Sequence, residues 1–106
     1  MRKGLLILAS ILILLPTEIR AVDFFEWQDT VTELAHEALK GDAKALHKLF
    51  LMSVDTDGGM VETMGAACLD IQKKQPELFE KTLKKERKKV RQSVQWQMEE
   101  VARGPT

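Results

Sequence analysis

The sequence predicts an all-α fold: a small four-helix domain, built of helical hairpins, behind an N-terminal signal peptide. Three observations predict it. Apolar residues recur at intervals of three and four, the spacing of one helix face. No stretch alternates polar with apolar residues and no Asn-Gly pair offers a hairpin turn, so strands have no support. Glycine, aspartate and proline stand between the periodic runs, where helices cap and stop. The chain has 106 residues, 44% hydrophobic and 30% charged, which suits one folded domain.

The first residues read as an address. Met1-Arg2-Lys3 precedes an uncharged, mostly apolar run from Gly4 to Leu15, which Pro16 breaks before a polar stretch from Thr17 to Ala21. This is the three-part layout of a secretory signal peptide. The run covers about 18 Å as helix against a hydrocarbon core of about 30 Å, so it makes a poor permanent span. Ala21 is a small residue at a plausible cleavage point. The expectation is therefore a signal peptide at residues 1–21, cut before Val22, and export to a periplasm or beyond the cell. The alternative is a membrane tether formed by an uncleaved signal anchor. No cysteine stands directly after the run, which excludes a lipid-modified leader. Residues 22–106 then form a single α-helical domain. A domain that small buries only about 60% of its unfolded surface. Cys68 is the sole cysteine, so no intramolecular disulfide can help, and helix packing or a partner must supply the stability.

The helices follow in order. Asp23, with Glu26 three residues on, reads as the N-cap of the first helix. Phe24, Trp27, Val31, Leu34 and Ala38 give its apolar stripe, and Gly41 its C-cap. Asp42 caps a second helix at once, with Ala43, Leu46, Leu49, Phe50 and Val54 as its core face. A third helix, about Met60 to Lys74, buries Val61, Met64, Ala67, Cys68 and Ile71. Its small residues Gly65, Ala66 and Ala67 mark the expected close contact with the second helix. Gln75-Pro76 stops it, and Pro76 opens a fourth. Nothing in the sequence breaks that helix from Pro76 to Ala102, roughly 40 Å. Its stripe Leu78, Phe79 and Leu83 gives way to a run charged on every face, then resumes at Val90, Val94, Met98 and Val101. The second part is expected either to fold back on the first helix, near Phe24, Phe25 and Trp27, or to project toward another chain.

Gly41-Asp42, Ala45-Leu46, Leu49, Asp57-Gly58 and Gln75-Pro76 describe two short helices joined by a tight turn. This part of the chain, less than half of it, resembles a HEAT- or armadillo-like α-helical hairpin. The resemblance implies a protein-binding scaffold and assigns no functional residue. No second copy of the unit follows, so an extended solenoid is not expected.

The chemistry-bearing residues point away from catalysis. Asp55-Thr56-Asp57-Gly58-Gly59 has the flavour of a calcium loop, but counted from Asp55 the fifth position is Gly59, the sixth Met60 and the twelfth Ala66, where Glu should stand. It reads as a turn, with ion binding left open. His36, His47 and Cys68 have no paired ligand one helical turn away, so no metal site is expected. Glu99-Glu100 and Glu33/Glu37 read as solvated faces, and Gly58-Gly59 lacks the strand and lysine of a phosphate loop. No catalytic residue and no cofactor are expected. The chain has no tyrosine and only 6% aromatics, so no base-stacking surface is advertised.

Charge is the informative surface feature. The chain is neutral overall, yet Val22–Ile71 carries ten acids against three lysines, and Gln72–Arg91 nine bases against three acids. The ordinary reading is that the two halves pair, within a chain or between chains. The sharper one is a basic band facing anionic lipid headgroups, an acidic partner or a polyanion. Two functional expectations result. The first is a non-enzymatic protein-interaction module, meeting another protein or a second copy of itself, with Val90, Val94, Trp96 and Met98 as contact residues. The second is an anionic-surface binder using Lys84, Lys85, Arg87, Lys88 and Lys89. Nucleic acid is not expected as a partner, because export removes the protein from it.

Overall fold

Helix α1 opens at Pro16 and runs to Leu39, about 36 Å at 1.5 Å per residue. The computed structural model describes residues 16–104, with side chains from Phe24 onward, so the leader expected over residues 1–21 lies mostly outside the described residues. Proline suits a first helical position, and nothing from Thr17 to Val22 interrupts the helix. Asp23 therefore lies inside α1 and does not cap it, a correction to the expected start. None of the helices among the described residues is long and apolar enough to cross a membrane.

The α1 to α2 corner forms as the sequence predicts. Gly41 takes φ +104°, which only glycine adopts without strain. Helix α2, Ala43–Met52, starts at Asp42, whose carboxylate accepts from the backbone N–H of Lys44 at 2.9 Å and of Ala45 at 3.2 Å. A short 3₁₀ turn, Ser53–Asp55, replaces its expected last residues. Gly58, at φ +53°, then turns the chain into α3, Gly59–Lys74. Gln75 ends α3, and its side-chain amide donates to the Leu39 carbonyl at 3.0 Å, tying the α3 end to the α1 end.

The expected fourth helix is two. Helix α4 spans Pro76–Lys84 and α5 spans Lys88–Arg103, so the described residues form five helices and no strand. Breaking the expected helix at residues 85–87 costs a few backbone hydrogen bonds and brings Val90, Val94 and Met98 into the core. The break is held by Glu86. Its side chain is only 4% exposed, and its carboxylate accepts from His47 Nδ1 on α2 at 2.6 Å. A buried carboxylate without a donor would be strongly unfavourable, so this contact fixes where the turn sits.

The core takes Val31 and Ala38 from α1, Leu46, Leu49 and Phe50 from α2, Met64, Cys68 and Ile71 from α3, Phe79 and Leu83 from α4, and Val90, Val94 and Met98 from α5. Phe50 and Phe79 meet edge to face, centroids 5.2 Å apart. Helix α1 packs on both α2 and α3, whereas α2 and α3 make little direct contact. The α-hairpin implied by the resemblance is thus not formed by that pair. The second half of the expected long helix, now α5, packs mainly on α3 and not on the aromatic end of α1. There Phe24 and Phe25 remain exposed, Phe24 stacked on Trp27.

Cys68 is sealed in this core with its thiol against Met64 Sδ at 4.0 Å. Burial pushes the thiol up to about 12 from 9.0, because the thiolate loses its water. The unfolded chain releases this proton first as pH rises, so it binds fewer protons than the folded chain between those two values. Stability is therefore complete below pH 9.0 and falls above it. Urea denaturation at stepped alkaline pH is expected to show a loss of up to about 1.4 kcal/mol per pH unit that a Cys68→Ala chain does not share.

Candidate partner-binding site

Helices α3 and α5 cross at Gly65. With no side chain there, the Gln97 carbonyl and the Val101 methyl of α5 come directly against α3, and a Cβ on Gly65 would collide with both. This corrects the expected place of the small-residue patch, which faces α5 and not α2. Gln97 is buried beside the crossing, and its amide donates to the Ser53 carbonyl at 2.6 Å, anchoring α5 to the 3₁₀ turn as well. Its Oε1 has no partner among the described residues.

To one side of the crossing the two helices leave an open groove of about 720 Å³. Val61, Ala66, Trp96 and Val101 supply its apolar surface, Glu62 and Glu100 its charge, and Gly58 and Gly104 its ends. Trp96 is 50% exposed. Glu62 is exposed with no ion-pair partner among the described residues, while Glu100 is held loosely by Arg103 at 3.6 Å. On the other side of α5 a hollow of about 320 Å³ lies against α4, floored by Leu69, Phe79, Leu83 and Met98.

The four expected contact residues separate. Val90, Val94 and Met98 are buried inside the chain, and of the four only Trp96 is exposed. Their stripe is an internal seam, because the helix break folds it onto the core. The five expected anionic-surface residues stay together. Lys84, Lys85, Arg87, Lys88 and Lys89 are all exposed on the α4–α5 turn. Among the described residues none of them reaches a carboxylate. The ion pairs present are Lys40–Glu37, Lys74–Asp70, Arg103–Glu100 and His47–Glu86. Among the described residues, no acid of the first half forms an ion pair with this turn.

The chain matches no known family model, no curated protein and no solved structure. What the site can do is therefore read from its own geometry.

His36, His47 and Cys68 lie on three different helices. His47 is engaged by Glu86, and Cys68 is enclosed in the core. Among the described residues no group of three His, Cys, Asp or Glu side chains could hold a metal ion. The Asp55–Gly59 segment is a helix-linking turn, with the Met60 N–H donating to the Asp57 carbonyl at 3.0 Å and the Thr56 hydroxyl to the Ser53 carbonyl at 2.7 Å. Sequence reasoning missed Glu62 and Glu100 as groove residues, taking the latter for a solvated face. One signal was available. The start of α5 carries Lys88, Lys89 and Arg91 and no acid, while Glu99 and Glu100 stand near its end. The basic start opposes the helix dipole, which prefers acids first and bases last, and at the other end Arg103 only partly offsets the two acids.

Proposed function

We propose that this chain is an exported, non-enzymatic protein-interaction module that grips its partner in the α3–α5 groove around Trp96. The half-exposed indole carries the reading. Tryptophan gives the largest contact area of any side chain, and such residues in apolar surroundings dominate measured binding energies. Val61, Ala66 and Val101 give it those surroundings, and Glu62 and Glu100 form a polar rim. Placing a photo-crosslinking residue at position 96 in expressing cells is expected to give a protein adduct several-fold stronger than the same residue at exposed Glu77. Equal or absent protein adducts at the two positions would overturn the proposal.

The free cations of the α4–α5 turn favour a second reading, docking on an anionic surface such as lipid headgroups. Such docking would weaken steeply with salt. Export rests on the leader, and the released protein would begin at Val22.

A further inference from the structure

We infer that the groove's partner is a second copy of this chain, held head to tail: the Lys84–Lys89 turn of one copy seats on the acid-rimmed Trp96 groove of the next. This rests on the groove being a protein-contact site and names its occupant. The argument starts from α5. Its beginning forms part of the basic turn, and its last two turns form one wall of the groove. Lys88 and Glu100 are twelve residues apart on one rigid helix, about 18 Å, too far for turn and groove to meet within one molecule.

Each half lacks what the other offers. The five turn cations have no carboxylate within ion-pairing distance among the described residues. At the groove, Glu62 has no ion-pair partner among the described residues and Glu100 is only loosely held. The basic start of α5 opposes its dipole, which costs stability in an isolated chain, while Arg103 in the last turn only partly offsets Glu99 and Glu100. Stacking copies end to end puts the positive start of one α5 beside the negative end of the next, and the opposition becomes attraction. The apolar part of the contact has a fit as well. Arg87 has a planar guanidinium suited to the exposed face of Trp96, and lysine stems cover apolar surface while their ammonium groups reach Glu62 and Glu100. The contact uses two different surfaces, so it is heterologous and propagates into open chains. It is also small, so association is weak, reversible and salt-sensitive.

Sedimentation velocity on the protein as recovered from expressing cells tests this. The weight-average sedimentation coefficient is expected to rise with concentration at low salt and to fall to the monomer value at about 0.5 M salt, where charges are screened beyond a few ångströms. A turn variant (Lys84→Gln, Lys85→Gln, Lys88→Gln) and a groove variant (Glu62→Gln, Glu100→Gln) should each be monomeric. Mixed in equal amounts they should form one-to-one dimers and nothing larger, because only one intact turn–groove pair remains. All five positions are at the surface, and circular dichroism checks that each variant folds; Trp96→Ala gives an independent loss of association. A monomer at every concentration in low salt overturns the inference, as does association that survives both variants. A monomer whose position 96 still crosslinks to a different protein rejects the second copy and keeps the groove. A monomer with no protein adduct rejects both. A monomer that binds anionic vesicles through the turn assigns the cations to a membrane surface instead.

Discussion

Replacing Phe50 with alanine is expected to remove about 3–5 kcal/mol of stability. The side chain is fully buried on α2, packed edge to face on Phe79 of α4. It joins the first half of the chain to the element that turns α5 back onto the core. Surrounding helices can close only part of such a void, so the loss adds a cavity cost to the lost apolar transfer. Domains of this kind have roughly 5–15 kcal/mol in total, so the variant should stand close to its unfolding point at ambient temperature. A urea titration followed by circular dichroism reads the effect as a much lower midpoint at an unchanged slope. A shift of under 1 kcal/mol would mean that α2 and α4 are not packed as described.

The second large effect is at Gly65. On helix propensity alone, alanine should improve this position by about 1 kcal/mol. The crossing reverses the sign. A Cβ there strikes the Gln97 backbone carbonyl and the Val101 side chain, and a carbonyl inside a helix moves only if α5 moves. Overpacking of this sort costs about 1–3 kcal/mol. Gly65→Ala should therefore lower the melting temperature by about 4–8 °C per kcal/mol lost, and Gly65→Leu should detach α5 altogether. Gly59 is the control. Nothing lies within 4 Å of a Cβ built on it, and Gly59→Ala should be neutral or slightly stabilising. Equal melting temperatures for Gly65→Ala and the parent would show that the two helices do not cross there.

Much of the fold could be read locally. Gly41-Asp42 and Gln75-Pro76 act through their own backbone and side-chain chemistry, so they mark helix ends whatever surrounds them. Most core residues of α2 and α3 follow from their spacing, although Ala43, expected on the core face, is exposed and Ala45 is buried in its stead. The break at residues 85–87 could not be found this way. Lysine, glutamate and arginine are good helix formers, and the chain there reads as uninterrupted helix. What ends the helix is the Glu86–His47 contact across 39 positions of sequence, together with the chance to bury Val90, Val94 and Met98. The same break explains the mixed fate of the expected contact residues. Their stripe was correctly seen as needing cover, but the cover is the chain's own core. Trp96 points off that stripe and stays outside. Gly65 was visible as a site of close approach, yet which helix approaches it depends on the turn that the local sequence hides. The acids of the groove were hidden for another reason: Glu62 and Glu100 come together only once α5 lies on α3.

The claim on which the rest depends is that the groove beside Trp96 is covered when the protein is at work. Hydrogen exchange read by mass spectrometry, on dilute and on concentrated protein at low salt, measures this directly. Amides of residues 58–66, 96–104 and 84–89 should exchange more slowly as concentration rises, while those of α1 stay unchanged. Exchange at all three segments that is the same at both concentrations, and the same again with extract of the expressing cells added, would contradict it.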